Sequence, residues 1–195
     1  MSTMPGIIRR LVGISIATTA AFTGTGCGDG IPNPAGYWVA PTATPKSAAV
    51  RVKKITSACE LLPATAVVEV LGDSAGTGLT SREQPVQDTD REPEYGCVYG
   101  RDGREALALT ATVLPDRADA AEQTIEAVAR ASKVDTTPVR KVGAAAVSYV
   151  TEDEVRVITF VVPYEDELRL VAITGPEVVP QEKFTELAKL VSRKI

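Results

Sequence analysis

The side chains able to do chemistry in this chain are three cysteines, at 27, 59 and 97, and two close pairs of carboxylates, Glu152 with Glu154 and Glu165 with Glu167. None of the 195 residues is a histidine, which removes the commonest general base and the commonest metal ligand near neutral pH. Ser-His-Asp and Cys-His nucleophiles and histidine-ligated zinc are thereby excluded. The cysteines also lack the C-x-x-C spacing of structural zinc and dithiol redox sites. Paired acids can hydrolyse glycosides without other help. These four glutamates, however, fall in short acidic segments between apolar runs, where turns are expected rather than a cleft. The sequence therefore assigns no catalytic residue, no metal ligand and no cofactor, and a carboxylate-based hydrolase is only a remote alternative.

Two further segments imitate chemistry without supporting it. Gly72-Asp73-Ser74-Ala75-Gly76 has the residue types of a serine-protease nucleophile loop, but that chemistry needs an imidazole base. Gly76 and Gly78 follow a helix end rather than a strand, so they read as turn glycines and not as a phosphate cradle. The acids near Asp88 and Glu92 lack the D-x-D-x-D-G spacing of a calcium loop. With a formal charge of −4 and a pI near 5.0 there is no basic footprint for nucleic acid.

Residues 1–26 have the layout of an export signal: Arg9 and Arg10, an apolar run over 11–22, then small residues up to Cys27. A run that short does not span a bilayer, for which about 20 apolar residues are needed. Gly24-Thr25-Gly26-Cys27 resembles a bacterial lipobox, whose cysteine is acylated and becomes the new N-terminus; Gly24 stands where such sequences usually have leucine. Cysteine parity points the same way. In a secreted chain an odd cysteine needs an explanation, and a lipid on Cys27 supplies one. Cys59 and Cys97 then form the expected disulfide in an oxidising compartment. The expectation is a lipid-anchored protein on the extracytoplasmic face of the cell membrane, with ordinary cleavage to a secreted soluble form as the alternative.

Residues 27–54 are rich in Gly, Pro, Ala and Thr and read as a linker. It holds the chain's only tryptophan, Trp38, beside Tyr37. Residues 55–195 read as one domain. The spacing Ser57-x-x-Glu60 fits a capping box, while Pro63 suits the start of the first main helix, which Gly72 ends. Residues 79–94 read as a long polar loop before a strand at 95–99. Alternation of Leu107, Leu109, Ala111 and Val113 predicts a strand. Pro115-Asp116 is expected to open a helix with Ala121, Ile125, Val128, Ala129 and Ser132 on one stripe.

Residues 139–142, 145–150, 155–162 and 168–174 read as four strands joined by short turns, which favours antiparallel neighbours. Pro180 opens a last helix with Phe184, Leu187, Ala188, Val191 and Ile195 on its apolar face. The predicted fold is α+β: one antiparallel sheet of about five to seven strands, three helices on one or both faces, and one disulfide.

Cys59-Glu-Leu-Leu-Pro63, the helix end Val70-Leu71-Gly72, Gly96-Cys97-Val-Tyr99, Val142-Gly-Ala-Ala145 and the helix from Phe184 to the C-terminus together resemble an actinobacterial lipoprotein family, domain of unknown function 3558. This chain has Pro63-Ala64 where the family tends to have Thr-Pro, and Tyr99 where it tends to have Trp. The resemblance implies a disulfide-bonded envelope lipoprotein and supplies no catalytic residues. The expected function is that of a non-enzymatic binding module. Its partners are the membrane, through Cys27, and an unknown envelope protein or lipid met through the sheet or the 79–94 segment. A carrier or sensor of a lipid or small apolar ligand is the alternative.

Overall fold

Four central strands do most of the burying. In the computed structural model, which describes residues 51–72, 78–89 and 91–195, these are β4 (Arg104–Leu114), β8 (Glu167–Pro176), β7 (Val155–Tyr164) and β6 (Ala145–Val150). Around them lie β3 (Glu92–Arg101), β1 (Thr80–Glu83), β2 (Gln87–Thr89) and β5 (Thr137–Pro138). Among the described residues the eight strands make one antiparallel sheet in the order β1-β3-β4-β8-β7-β6-β5, with β2 beside β3. The helices are α1 (Ala58–Leu61), α2 (Ala64–Leu71), α3 (Ala121–Ser132) and α4 (Gln181–Lys194).

The alternation of β4 sends Leu107, Leu109 and Ala111 to one face, beside Val171 and Ile173 of β8 and Ile158 and Phe160 of β7. Helices α1, α2 and α4 bury that face, and Phe184, Leu187, Ala188, Val191 and Ile195 enter the same core as the helical period predicts. On the other face α3 packs on β6 and β7, where Ile125 meets Val147, Val161 and Leu168. β7 is therefore buried on both sides, which is why its sequence is nearly continuously apolar rather than alternating. Where α3 does not reach, the second face is a half-exposed field of small side chains, Ala108, Thr110, Thr112, Ala172 and Thr174.

The two acidic segments are hairpin turns. Thr151 to Glu154 joins β6 to β7, and Glu165-Asp166 joins β7 to β8, with Glu154 and Glu165 in the left-handed region at φ 58° and 53°. The S-x-x-E and Pro63 signals both hold: Ser57 caps the short α1, and Pro63 precedes α2.

Four expectations are corrected. Among the described residues the sheet has eight strands and there are four helices, because the capping-box turn is a helix of its own. Residues 79–94 contain β1 and β2, whose residues are all exposed and so carry no apolar alternation; pairing with β3 makes them strands. Residues 139–142 are not a strand: β5 ends at Pro138, Val139 N–H makes one further bond to Ala146 O of β6 at 2.9 Å, and the chain then turns, with Lys141 and the following Gly143 at positive φ. Finally, α3 begins at Ala121 and not at Pro115-Asp116, where Asp116 lies at φ 57° and interrupts helical geometry.

The domain reaches back before Ile55. Val52 N–H donates to Lys194 O at 2.7 Å. Arg169, fully buried on β8, donates from its guanidinium to Val52 O at 2.7 Å and Lys53 O at 2.9 Å. The same group pairs with Glu167 at 2.7 Å and stacks on the Tyr164 ring at 3.8 Å. Each nitrogen of the buried cation thus donates to a partner, which is the condition for keeping a charge inside.

Candidate functional site

The most elaborate polar arrangement among the described residues surrounds the disulfide. Cys59 lies in the first turn of α1 and Cys97 in β3; they are bonded to each other with their Cα atoms 5.0 Å apart. Glu83 of β1 sits directly opposite Cys97 in the sheet register. Neighbouring strands place such partners' Cβ atoms about 5 Å apart, so this carboxylate reaches the sulfur atoms. One carboxylate oxygen of Glu83 and the two Sγ atoms all lie within 4.8 Å of one another.

Glu83 has a second task. Its Oε1 accepts from Ala58 N–H at 2.7 Å, and its Oε2 accepts from Cys59 N–H at 3.2 Å and from the Ser57 hydroxyl at 2.9 Å. Ser57 Oγ in turn accepts from Glu60 N–H at 3.1 Å. The first three amide donors of α1 are therefore satisfied by two side chains, one local and one from a strand 26 residues away. A four-residue helix does not stand alone; here it is held by Glu83 at its N-terminus and by the disulfide at its side.

Tyr99, two residues after Cys97, points into the same core and donates its hydroxyl to Leu62 O, just past α1. Burial, with the Glu83 charge adding to it, pushes the Tyr99 phenol well above its ordinary value. The hydroxyl is thus kept protonated as a donor. Tyr149 is raised as well, by burial, with a hydrogen bond to Thr159 acting in the opposite direction. Sequence reasoning identified Cys59 and Cys97 but missed Glu83 and Tyr99 as their companions. Tyr99 was visible as part of the Gly96-Cys97-Val-Tyr99 motif on a strand, with nothing to show its bond to Leu62 O, and Glu83 as one acid in a polar run.

The other carboxylates do not converge. Glu152 and Glu154 lie at one end of β7, and Glu165 and Glu167 lie at the other, roughly 30 Å away for a ten-residue strand. Glu167 is committed to Arg169. Glu152 joins Asp153, Thr151, Ser132, Lys133 and Val134 around a shallow, open groove of ≈ 260 Å³ at the end of α3. Gly72 ends α2 at φ 61°, as its sequence position predicts. Cys27, Tyr37, Trp38 and the Asp73-Ser74-Ala75-Gly76 segment lie outside the described residues. No helix among the described residues is long and apolar enough to cross a membrane.

No match to this chain is found among protein-family models, curated proteins or solved structures.

Proposed function

We propose that the chain is a non-enzymatic lipoprotein of the cell envelope, anchored through an acylated Cys27 and related to the actinobacterial family it resembles. Its extracytoplasmic domain serves as a binding module. The observation that carries this reading is the pairing of Cys59 with Cys97, which leaves Cys27 as the odd cysteine at the end of a signal-like segment. The scattering of the turn carboxylates to opposite ends of β7 supports a role in binding rather than hydrolysis. The exposed β1 and β2, beside the half-exposed Ala and Thr field of β4 and β8, supply the surface for an envelope partner.

The test is the intact mass of the full precursor expressed in an actinobacterial host and extracted gently from membranes. Expected is a chain beginning at Cys27 with a diacylglycerol-sized increment, and loss of membrane association in Cys27→Ser. A soluble product cleaved elsewhere and free of lipid would overturn the anchored reading. A small apolar molecule retained under native conditions would replace the binding module with the carrier.

A further inference from the structure

The geometry points to a redox-gated metal site: when the Cys59–Cys97 disulfide is reduced, the two thiolates and the Glu83 carboxylate form a three-ligand site for a thiophilic divalent cation such as Zn²⁺. This goes beyond the binding-module reading and does not depend on it. The ligand atoms already lie within 4.8 Å of one another. A tetrahedral zinc with bonds of about 2.3 Å to sulfur and 2.0–2.2 Å to oxygen needs its ligand atoms roughly 3.5–3.8 Å apart. Once the covalent bond is gone, side-chain rotation alone covers that change.

Two of the three ligands are fixed by the sheet. Glu83 and Cys97 are register partners on β1 and β3, so their separation does not depend on loop conformation. The third, Cys59, rides on α1, whose first amides Glu83 already holds. Oε1 keeps Ala58 N–H; Oε2, which accepts from the Ser57 hydroxyl at 2.9 Å and from Cys59 N–H at 3.2 Å, turns to the metal by giving up the longer Cys59 bond, and the rotatable Ser57 hydroxyl keeps its bond to the same carboxylate. The surroundings grade from closed to open: Cys97 is fully buried, Cys59 is half-buried and Glu83 is exposed. A fourth position therefore faces solvent, where water completes the tetrahedron. Two thiolates and one carboxylate favour zinc or cobalt over magnesium or calcium, which take oxygen ligands only.

The gate is the disulfide. A dithiol reductant gives two electrons and two protons to the Cys59–Cys97 bond and is itself converted to a disulfide, leaving two thiols. The metal ion then displaces both thiol protons as the two metal–sulfur bonds form. In the reverse direction a disulfide oxidant accepts the two electrons and two protons from solvent and leaves as a dithiol, while the Cys59–Cys97 bond re-forms and the ion is released.

The experiment uses the full chain in mild detergent with Cys27→Ser, so that only two thiols remain, reduced with a phosphine without oxygen and titrated with Co²⁺ and then Zn²⁺. Expected is one equivalent of Co²⁺ with sulfur-to-cobalt charge-transfer absorption and the visible bands of a tetrahedral site, all lost when Zn²⁺ is added. The oxidised chain is expected to bind none. In Glu83→Gln, zinc affinity is expected to fall on the order of tenfold or more, since even partners outside the ligand shell are worth that much. Circular dichroism of the reduced chain before and after metal reports whether the sheet is in place. The proposal is overturned by absent charge-transfer absorption, by equal affinity in Glu83→Gln, which would mean simple dithiol chelation, or by a sheet lost on reduction that metal does not restore.

Discussion

At the scale of single residues, two buried polar groups, each held by hydrogen bonds inside the core, matter more than any surface charge. Arg169 has no exposed surface and holds Val52 O, Lys53 O and Glu167 at once. Replacing it with methionine keeps the packing of the stem but strands two carbonyls and a half-buried carboxylate. Arg169→Met is expected to cost about 3–5 kcal/mol in urea unfolding, and protease cleavage near Lys53 and Lys54 should accelerate with it. Tyr99 makes the complementary case. Tyr99→Phe leaves Leu62 O without its donor inside the core, a loss of about 1–3 kcal/mol at neutral pH. The direction of its titration gives a further test. The folded-state value lies above the unfolded one near 10, so the folded chain retains a proton that the unfolded chain has lost. Stability is then fully present below about pH 10 and declines as pH rises toward the folded value. Urea midpoints from pH 8 to 11 should fall at the alkaline end, and fall less steeply in Tyr99→Phe, with Tyr149 accounting for the remainder. Neither role was legible in the sequence. Arg169 occupies a strand as any exposed alternating position would, and only the return of the N-terminal segment and the β7–β8 turn buries it.

At the scale of elements, glycines show how turns rather than strands set the layout of the second half of the sheet. Gly143 lies at φ +57°, and a Cβ there would come within 2.3 Å of Val161 O, the oxygen that accepts from Ala144 N–H at 2.8 Å. Gly103, in the β3–β4 turn at φ +74°, has nothing within 4 Å of the same position. Gly103→Ala should therefore cost only the left-handed backbone term of about 1 kcal/mol. Gly143→Ala carries that term plus a backbone collision, and its midpoint in thermal unfolding is expected to drop by at least twice as much. The comparison also explains why residues 139–142 looked like a strand. Val139 closes the short pairing of β5 with β6 and Val142 reaches the core from the turn that follows, so the two are apolar because both pack on the core, not because they alternate along one ladder. β4 and α4, by contrast, each bury one face against the same core, so their periods of two and 3.6 were legible in the residues themselves. β1 and β2 bury neither face. Their strand geometry is imposed by hydrogen bonds from β3, a long-range cause that no local pattern records. Glu83 belongs to the same class of hidden information: its contact with α1 exists only because β1 pairs with β3 and sets Glu83 opposite Cys97.

At the scale of the whole molecule, the disulfide and the Arg169 clamp secure different parts. Arg169 binds the N-terminal segment to β8 beside the β7–β8 turn, and Lys194 Nζ adds a bond of 3.1 Å to Glu60 O. The disulfide closes a separation of 38 residues that contains the rest of α1, all of α2, β1 and β2. Those elements have little burial of their own: α2 has one fully buried residue, Val67, and β1 and β2 have none. The central strands β4, β7 and β8, with α4 behind them, are held by the large core. Loop closure of this length stabilises by about 4 kcal/mol in the chain-entropy model. That benefit should not be spread evenly. In Cys59→Ala/Cys97→Ala, the urea midpoint is expected to fall by an amount corresponding to about 4 kcal/mol. Amide exchange should speed most in α1, β1 and β2, where local opening no longer has to work against a closed loop. Amides of β7 and β8 exchange through global unfolding, and they should speed only by the loss in overall stability. Equal acceleration in both groups would mean that the sheet unfolds as one unit, with the β1–β2 edge as firmly integrated as the centre. A selective response would identify the α1–β1 corner, where Glu83 meets both cysteines, as the part of the domain that opens first on reduction.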